Sequence, residues 1–94
     1  MMPAPTNLSP LALGIVGLYE GCAAYTCAPV RLSRIRSLLG TRHERAEIDA
    51  ALTELANFDG VHVRAVVNQQ TLTDADRAAA LRLGGEDRHH IQIE

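Results

Sequence analysis

The most constraining feature of the sequence is the stretch from residue 30 to residue 63, in which two apolar helical patterns, joined by a short link, lead into a β-rich segment. The first pattern predicts a short helix with Ser33 as its N-cap and Gly40 as its stop, and its shared face holds Leu32, Ile35, Leu38 and Leu39. The second predicts a longer helix from about Glu44 to Asn57, whose inward positions are Ile48, Ala51, Leu52, Leu55 and Phe58. Asp59 and Gly60 then turn the chain.

Two β-strands are predicted on either side of a long connection. Residues 61–67, VHVRAVV, are rich in β-branched residues, and residues 90–94, HIQIE, alternate apolar and polar positions, so the two are expected to pair antiparallel. In the connection, residues 73–76, TDAD, resemble a capping box with Asp in place of Glu. We expect a helix from about Asp74 to Leu83, closed by Gly84 and Gly85. The sequence therefore predicts an α+β fold.

A further helix is expected to start at Ser9 and Pro10 and to run to about Ala24, after a flexible lead over residues 1–8. Its core stripe consists of Leu8, Leu11, Ile15, Leu18 and Cys22. Other apolar or small residues lie off this stripe: Leu13, Gly14, Val16, Gly17 and Gly21. Because the chain has only three aromatic residues, its core is thin, and a partner chain would help to complete it. These off-stripe residues are interpreted either as a homodimer interface or as a face covered by the rest of the domain.

The order helix, short strand, short helix, turn, longer helix, strand, strand resembles the winged helix-turn-helix DNA-binding domain superfamily. The segments that carry the resemblance are VRLSRIRSLLG (30–40) and AEIDAALTELANFDGVHV (46–63). It implies one domain over residues 9–94, with a three-helix core, a short β-strand and a two-stranded antiparallel wing that here carries an inserted helix. The chain is also similar to uncharacterised actinobacterial proteins, which implies no activity.

Basic residues are concentrated around the short helix and the entry to the longer one. Guanidinium groups bind phosphate oxygens and guanine edges bidentately. The candidate DNA-binding residues are Arg31, Arg34, Arg36, Arg42, His43 and Arg45. By the docking geometry of the resembled fold, Arg31, Arg34 and Arg36 are expected to contact phosphates, while Arg42 and Arg45 approach bases. The leading interpretation is a homodimeric protein that binds double-stranded DNA, a small transcriptional regulator.

The charge of the chain favours a second interpretation. The formal net charge is −2, which lacks the basic footprint of a strong DNA binder. The outward face of the longer helix is small and acidic, with Ala46, Asp49, Ala50, Thr53 and Asn57 flanked by Glu47 and Glu54. The alternative is therefore a winged-helix adaptor that binds another protein and no DNA.

The sequence shows no nucleotide-binding glycine motif, nucleophile elbow or paired-carboxylate site, so no enzyme activity and no cofactor are expected. Cys22, Cys27 and the four histidines lack the paired spacing of a zinc site and are interpreted as packed thiols and surface imidazoles. The apolar run after Leu8 is too short to span a bilayer, and no signal peptide is evident, so a cytoplasmic protein with reduced thiols is expected. A disulfide between the two cysteines is the disfavoured alternative.

Overall fold

The computed structural model describes residues 8–94, and most of the predicted flexible lead, residues 1–7, lies outside them. Helix α1 spans Pro10–Cys22. The predicted cap at Ser9 is confirmed, because its hydroxyl accepts a hydrogen bond from the Ala12 amide at 3.2 Å. Leu8 is half-buried and packs against the core.

Three short elements follow α1. Strand β1 spans Val30–Arg31, helix α2 spans Leu32–Leu39 and helix α3 spans Arg45–Ala56. Gly40 ends α2 with a φ of +65°, as its predicted role as a stop requires. At the start of α3 the Glu47 carboxylate accepts a hydrogen bond from the Glu44 amide at 2.9 Å, which satisfies a donor at the helix end.

A polar contact joins the start of α1 to α3. Both the amide and the hydroxyl of Ser9 donate to the Glu54 carboxylate, each at 2.9 Å. Together with the last strand of the chain, which contains Ile91, helices α1, α2 and α3 enclose the core. Its largest fully buried side chains are Ile15, Leu32, Ile35, Leu52, Leu55 and Ile91. Aliphatic side chains thus form the centre of the core, as the scarcity of aromatic residues indicated.

The long connection begins after strand β2, which spans Val61–Arg64. A 3-10 turn at Gln69–Thr71 leads to helix α4, Asp74–Ala78. The predicted capping box is confirmed: the Thr73 hydroxyl accepts from the Asp76 amide at 3.0 Å, and the Asp76 carboxylate accepts from the Thr73 amide at 3.1 Å.

The predicted extension of this helix to Leu83 is wrong. Residues Leu81–Leu83 form strand β3, which pairs antiparallel with β4, Glu86–Arg88. Gly84 and Gly85 have φ values of +62° and +77°, the left-handed conformation at both positions that a two-residue hairpin turn requires. The glycine pair therefore joins two strands, where the sequence analysis assigned it to a helix end.

The last strand, β5, spans His90–Ile93 and lies between β1 and β2 in a three-stranded sheet. It runs antiparallel to both neighbours, so the predicted pairing of the two strands is confirmed. Its register places Val61 opposite Ile93 and Val63 opposite Ile91, which puts these apolar side chains on the core face. Over residues 8–94, four α-helices and two small antiparallel sheets make up an α+β fold.

Two predictions about α2 are wrong. Ser33 is not its N-cap, because the N-cap is Arg31, two residues earlier, and the Ser33 hydroxyl donates to the Asp76 carboxylate at 2.6 Å. Leu38 does not share the buried face of Leu32 and Ile35, since half of it (50%) is exposed. In so short a helix, the core covers only a narrow stripe.

Candidate functional site

Arg31, the first of the predicted DNA-binding residues, contacts the connection after β2. One guanidinium nitrogen, Nη1, donates to Asp76 Oδ2 at 2.7 Å, and Nη2 donates to Thr71 Oγ1 at 3.3 Å. The Asp76 side chain is only 8% exposed, so this ion pair is largely shielded from water on the carboxylate side. Arg31 therefore ties β1 to the start of α4.

Arg36 and Arg45 contact the other end of α4. Arg36 Nε donates to the Ala79 carbonyl at 2.7 Å, while Arg45 donates from Nη1 to the Ala78 carbonyl at 2.7 Å and from Nη2 to the Ala80 carbonyl at 2.9 Å. Carbonyls at the end of a helix lack intrahelical donors and carry partial negative charge, so guanidinium groups satisfy and stabilise them. These two arginines fasten the end of α4 to α2 and α3.

Asp49 joins the same network from α3. Its Oδ1 accepts from Arg36 Nη2 at 2.6 Å, and its Oδ2 lies 3.7 Å from Arg45 Nε. The Arg36 side chain is 12% exposed, and its Nη1 is buried with no hydrogen-bond partner among the described residues. Asp49 lies on the predicted outward, acidic face of α3, and its carboxylate thus balances the charges of two arginines within the domain.

The other predicted DNA-binding residues are arranged differently. Arg34 and Arg42 are exposed and His43 is half-buried, and within residues 8–94 none of the three makes a side-chain hydrogen bond or an ion pair. The six predicted residues therefore divide into two groups. Arg31, Arg36 and Arg45 hold α4, whereas Arg34, Arg42 and His43 remain available at the surface. The predicted DNA contact itself stays a prediction.

Asp76 is the centre of the α4 attachment. Hydrogen bonds from the Ser33 hydroxyl and the Thr73 amide are the main causes that lower the pKa of Asp76, and the charge of Arg31 adds to them, while burial acts in the opposite direction. The carboxylate is therefore ionised in the folded chain over the neutral range. A sequence signal was present, since Asp76 stands at the third position of a capping box, but nothing local indicated Arg31 and Ser33 as its partners.

His89 is a buried residue that sequence reasoning missed. The prediction of surface imidazoles is wrong for it, because it is only 5% exposed. Its Nδ1 accepts a hydrogen bond from the Val66 amide at 3.2 Å, so the neutral ring carries its proton on Nε2. The alternation with Ile91, which is fully buried, is the signal that places His89 on the core face.

His90, the next residue, is the first of β5 and is half-buried. Burial is the main cause that lowers the pKa of His90, and the charges of Arg31, Arg64 and His89 act in the same direction. The folded chain therefore favours the neutral imidazole at this position.

The two cysteines are free thiols, both half-buried, at the two ends of the turn that follows α1. Cys27 has a φ of +66°, and its carbonyl accepts a hydrogen bond from Gln92 Nε2 at 2.7 Å. In the same turn, the Tyr19 hydroxyl donates to the Ala28 carbonyl at 2.6 Å. These bonds fix the turn against the end of β5. Over residues 8–94, no three His, Cys, Asp or Glu side chains converge as metal ligands.

The predicted dimer residues, apart from Val16, lie on the outer side of α1. Leu13 is 49% exposed, Gly14, Gly17 and Gly21 are exposed, and Val16 is half-buried against the core. A Cβ atom built on any of the three glycines would meet nothing within 4 Å. No side chain within residues 8–94 therefore covers these three glycines, and both interpretations of α1 stay predictions.

An apolar groove of about 350 Å³ runs between α1 and α2. Its lining includes Leu11, Gly14, Leu18, Leu38, Leu39 and Arg42. Leu38 also borders a second recess of similar size beside Arg34. The groove thus combines apolar walls with the Arg42 guanidinium and the His43 imidazole in its lining.

Comparison with protein-family models, with curated proteins and with solved structures finds no match for this chain. Among the helices described over residues 8–94, none has the length and apolarity needed to cross a bilayer.

Proposed function

We propose that this chain is a small winged-helix domain that works by binding protein, and that its first partner is a second copy of itself. The winged-helix interpretation is supported by the order of elements, α1, β1, α2, α3, β2 and β5, and by the antiparallel pairing of the last two. Helix α4 and the β3–β4 hairpin are inserted between β2 and β5, where the resembled fold has its wing.

The uncovered face of α1 is the observation that carries the protein-binding function. Each glycine inside a helix costs roughly 0.8–1 kcal/mol relative to alanine, and no described side chain packs on Gly14, Gly17 or Gly21 to offset that cost. A second helix that approached closely at the glycines would bury Leu13 and the bare backbone beside it. The proposed homodimer therefore pairs α1 with α1 through Leu13, Gly14, Val16, Gly17 and Gly21.

Light scattering of the full chain at micromolar concentration tests the homodimer. We expect a mass twice the 10.2 kDa of one chain. Leu13→Asp places a charge in the interface and should give a monomer. Val67→Asp is the matched control, because it changes an equally apolar residue that is 99% exposed and lies outside the interface. A monomeric wild-type chain, or a Leu13→Asp variant that stays dimeric, contradicts the α1 interface.

DNA binding is the second candidate function, and the exposure of Arg34 and Arg42 favours it. Because Arg31, Arg36 and Arg45 donate to the chain's own acceptors, each copy offers few free cations, and a dimer would double them. Such a protein would act as a small transcriptional regulator.

Fluorescence anisotropy with a random duplex across a salt series tests the DNA-binding candidate. Binding should weaken steeply as salt rises, and replacing Arg34 and Arg42 with Gln should reduce the slope of log affinity against log salt by about 2 for each copy that contacts the duplex. Arg82→Gln is the control, since Arg82 is paired with Asp87 at 3.1 Å on the β3–β4 hairpin. The absence of binding at low salt contradicts this function.

A further inference from the structure

The surface of α2 carries a charged and apolar pattern that the homodimer does not use. Arg34 lies one turn before Leu38 on the helix, and Arg42 lies beyond it, in the link between α2 and α3, where it lines the α1–α2 groove together with Leu38. Leu38 is half exposed and stands between the α1–α2 groove and the recess beside Arg34. An exposed leucine is thus bracketed by two cations that have no carboxylate partner within residues 8–94.

Leucine side chains from both helices make the walls of the groove apolar. Leu11 and Leu18 line it from α1, and Leu38 and Leu39 line it from α2. Leu11, Leu18 and Leu39 are partly buried and also pack against the core, so the apolar lining of the groove continues into the domain interior. A row of apolar side chains on a helix, spaced three and four residues apart, is the shape that fits such a groove.

We infer that the α1–α2 groove binds an acidic amphipathic helix from a partner protein. The apolar side chains of that helix would lie in the groove against Leu38, and its flanking carboxylates would pair with Arg34 and Arg42. Charge complementarity selects this occupant: the chain as a whole is acidic, at −2, while the two ends of this pattern are basic. The inference rests on the protein-binding part of the proposed function but needs no dimer.

The two surfaces can be perturbed separately. Gly14 borders both of them, but Leu38, Arg34 and Arg42 lie outside the α1 interface, and Leu13 does not line the groove. A Leu13→Asp monomer should therefore bind an acidic helix as well as the wild type does. A variant at Leu38 should stay as dimeric as the wild type.

The probe is a fluorescein-labelled peptide of about 15 residues, long enough to form a helix, with leucines at helical spacing and glutamates elsewhere. A peptide of the same composition in scrambled order is its control. Anisotropy with the full chain should show binding to the ordered peptide alone. Leu38→Ser should weaken it about tenfold, since a leucine anchor is lost, and the paired Arg34→Gln and Arg42→Gln replacement should weaken it about fivefold and flatten its salt dependence. Arg82→Gln should bind as the wild type does.

Several outcomes would overturn the inference. One is the absence of binding to the ordered peptide, and another is equal binding to the scrambled one. A third is an unchanged affinity for Leu38→Ser in a protein whose circular dichroism and melting temperature match the wild type. The last outcome concerns duplex DNA. If the chain binds DNA but not the peptide, and if DNA binding requires the two arginines but is unchanged by Leu38→Ser, the surface recognises phosphates. If the chain is dimeric but does not bind the peptide, only the proposal for the groove is refuted. If the chain is monomeric and binds the peptide, only the proposed homodimer is refuted.

Discussion

Replacement of Asp76 by Asn tests whether the arginine network holds α4 in place. Asp76 Oδ1 accepts from Ser33, while Oδ2 accepts from both Arg31 and the Thr73 amide. The asparagine oxygen can take the Oδ2 position and accept from Arg31 and the Thr73 amide, while its NH2 group donates to the Ser33 hydroxyl, which accepts as well as donates. The variant therefore keeps neutral hydrogen bonds to these partners but loses the negative charge that strengthens them and the ionic attraction of Arg31.

The expected loss is large compared with the stability of a domain of this size. A hydrogen bond to a charged group contributes about 1.5–3 kcal/mol, against about 0.5–1.5 kcal/mol for a neutral one, and Arg31, whose side chain is 35% exposed, recovers part of the difference by turning to water. The net loss should be about 2–4 kcal/mol from a free energy of unfolding of about 5–14 kcal/mol. The melting temperature should fall by roughly 10–25 °C.

Urea unfolding at neutral pH, followed by far-ultraviolet circular dichroism, measures the loss as a shift of the midpoint at constant slope. Asp74→Asn is the matched control, because Asp74 lies in the same first turn but is exposed and makes no side-chain hydrogen bond within residues 8–94. It should change the free energy of unfolding by less than about 1 kcal/mol.

The pH dependence separates the charge of Asp76 from its shape. Because folding lowers the pKa of Asp76, the unfolded chain binds its proton more readily than the folded chain does. The stabilisation is therefore complete above the pKa of the unfolded aspartate, near about pH 4, and is lost as pH falls through the lower folded pKa. The gap between wild type and Asp76→Asn should narrow on acidification. Equal midpoints at neutral pH, or a gap that is unchanged at about pH 2, would show that the network contributes nothing through the charge.

Three further predictions concern other parts of the fold. Arg36→Lys should lower the free energy of unfolding by about 1–2 kcal/mol, since one ammonium cannot replace a guanidinium that reaches two acceptors. Urea unfolding measures this loss, and Arg64→Lys, at an exposed arginine, is the control that should have no effect. Gly84→Val should cost about 2 kcal/mol in thermal unfolding and Gly84→Asn much less, because the φ of +62° disfavours a β-branched residue. His90→Gln should reduce the fall in stability between about pH 7 and pH 5, because folding lowers the pKa of His90 and protonation favours the unfolded chain; a pH profile identical to the wild type contradicts this.

The sequence was informative where local chemistry decides the structure. The cap at Ser9, the stop at Gly40 and the capping box of Thr73 and Asp76 each depend on residues within a few positions of one another. The pairing of β2 with β5 followed from alternation, which also assigns apolar residues to one face. Such features were predictable because distant parts of the chain do not change them.

Other features depend on contacts between distant segments. Gly84 and Gly85 suit a helix end as well as a hairpin turn, and the choice depends on whether Leu81 and Leu83 can alternate against the core. Ser33 suits an N-cap as well as a donor to Asp76, a residue far along the chain. For each residue the local chemistry allowed two structures, and a tertiary contact selected one.

The arginines show the same limit at the level of function. A cluster of guanidinium groups indicates an anion partner, but the sequence does not say whether that partner is a phosphate or the chain itself. Here Asp76 and the last carbonyls of α4 supply the anionic groups for Arg31, Arg36 and Arg45. Helix α4 has little apolar surface of its own, with Asp76 its one buried residue, so these bonds are its main attachment to α2 and α3. A basic segment next to an inserted polar helix should therefore be divided into cations that hold the insert and cations that remain exposed before a ligand is inferred. In this chain the exposed remainder flanks Leu38, and this arrangement is the observation on which the proposed acidic helical partner rests.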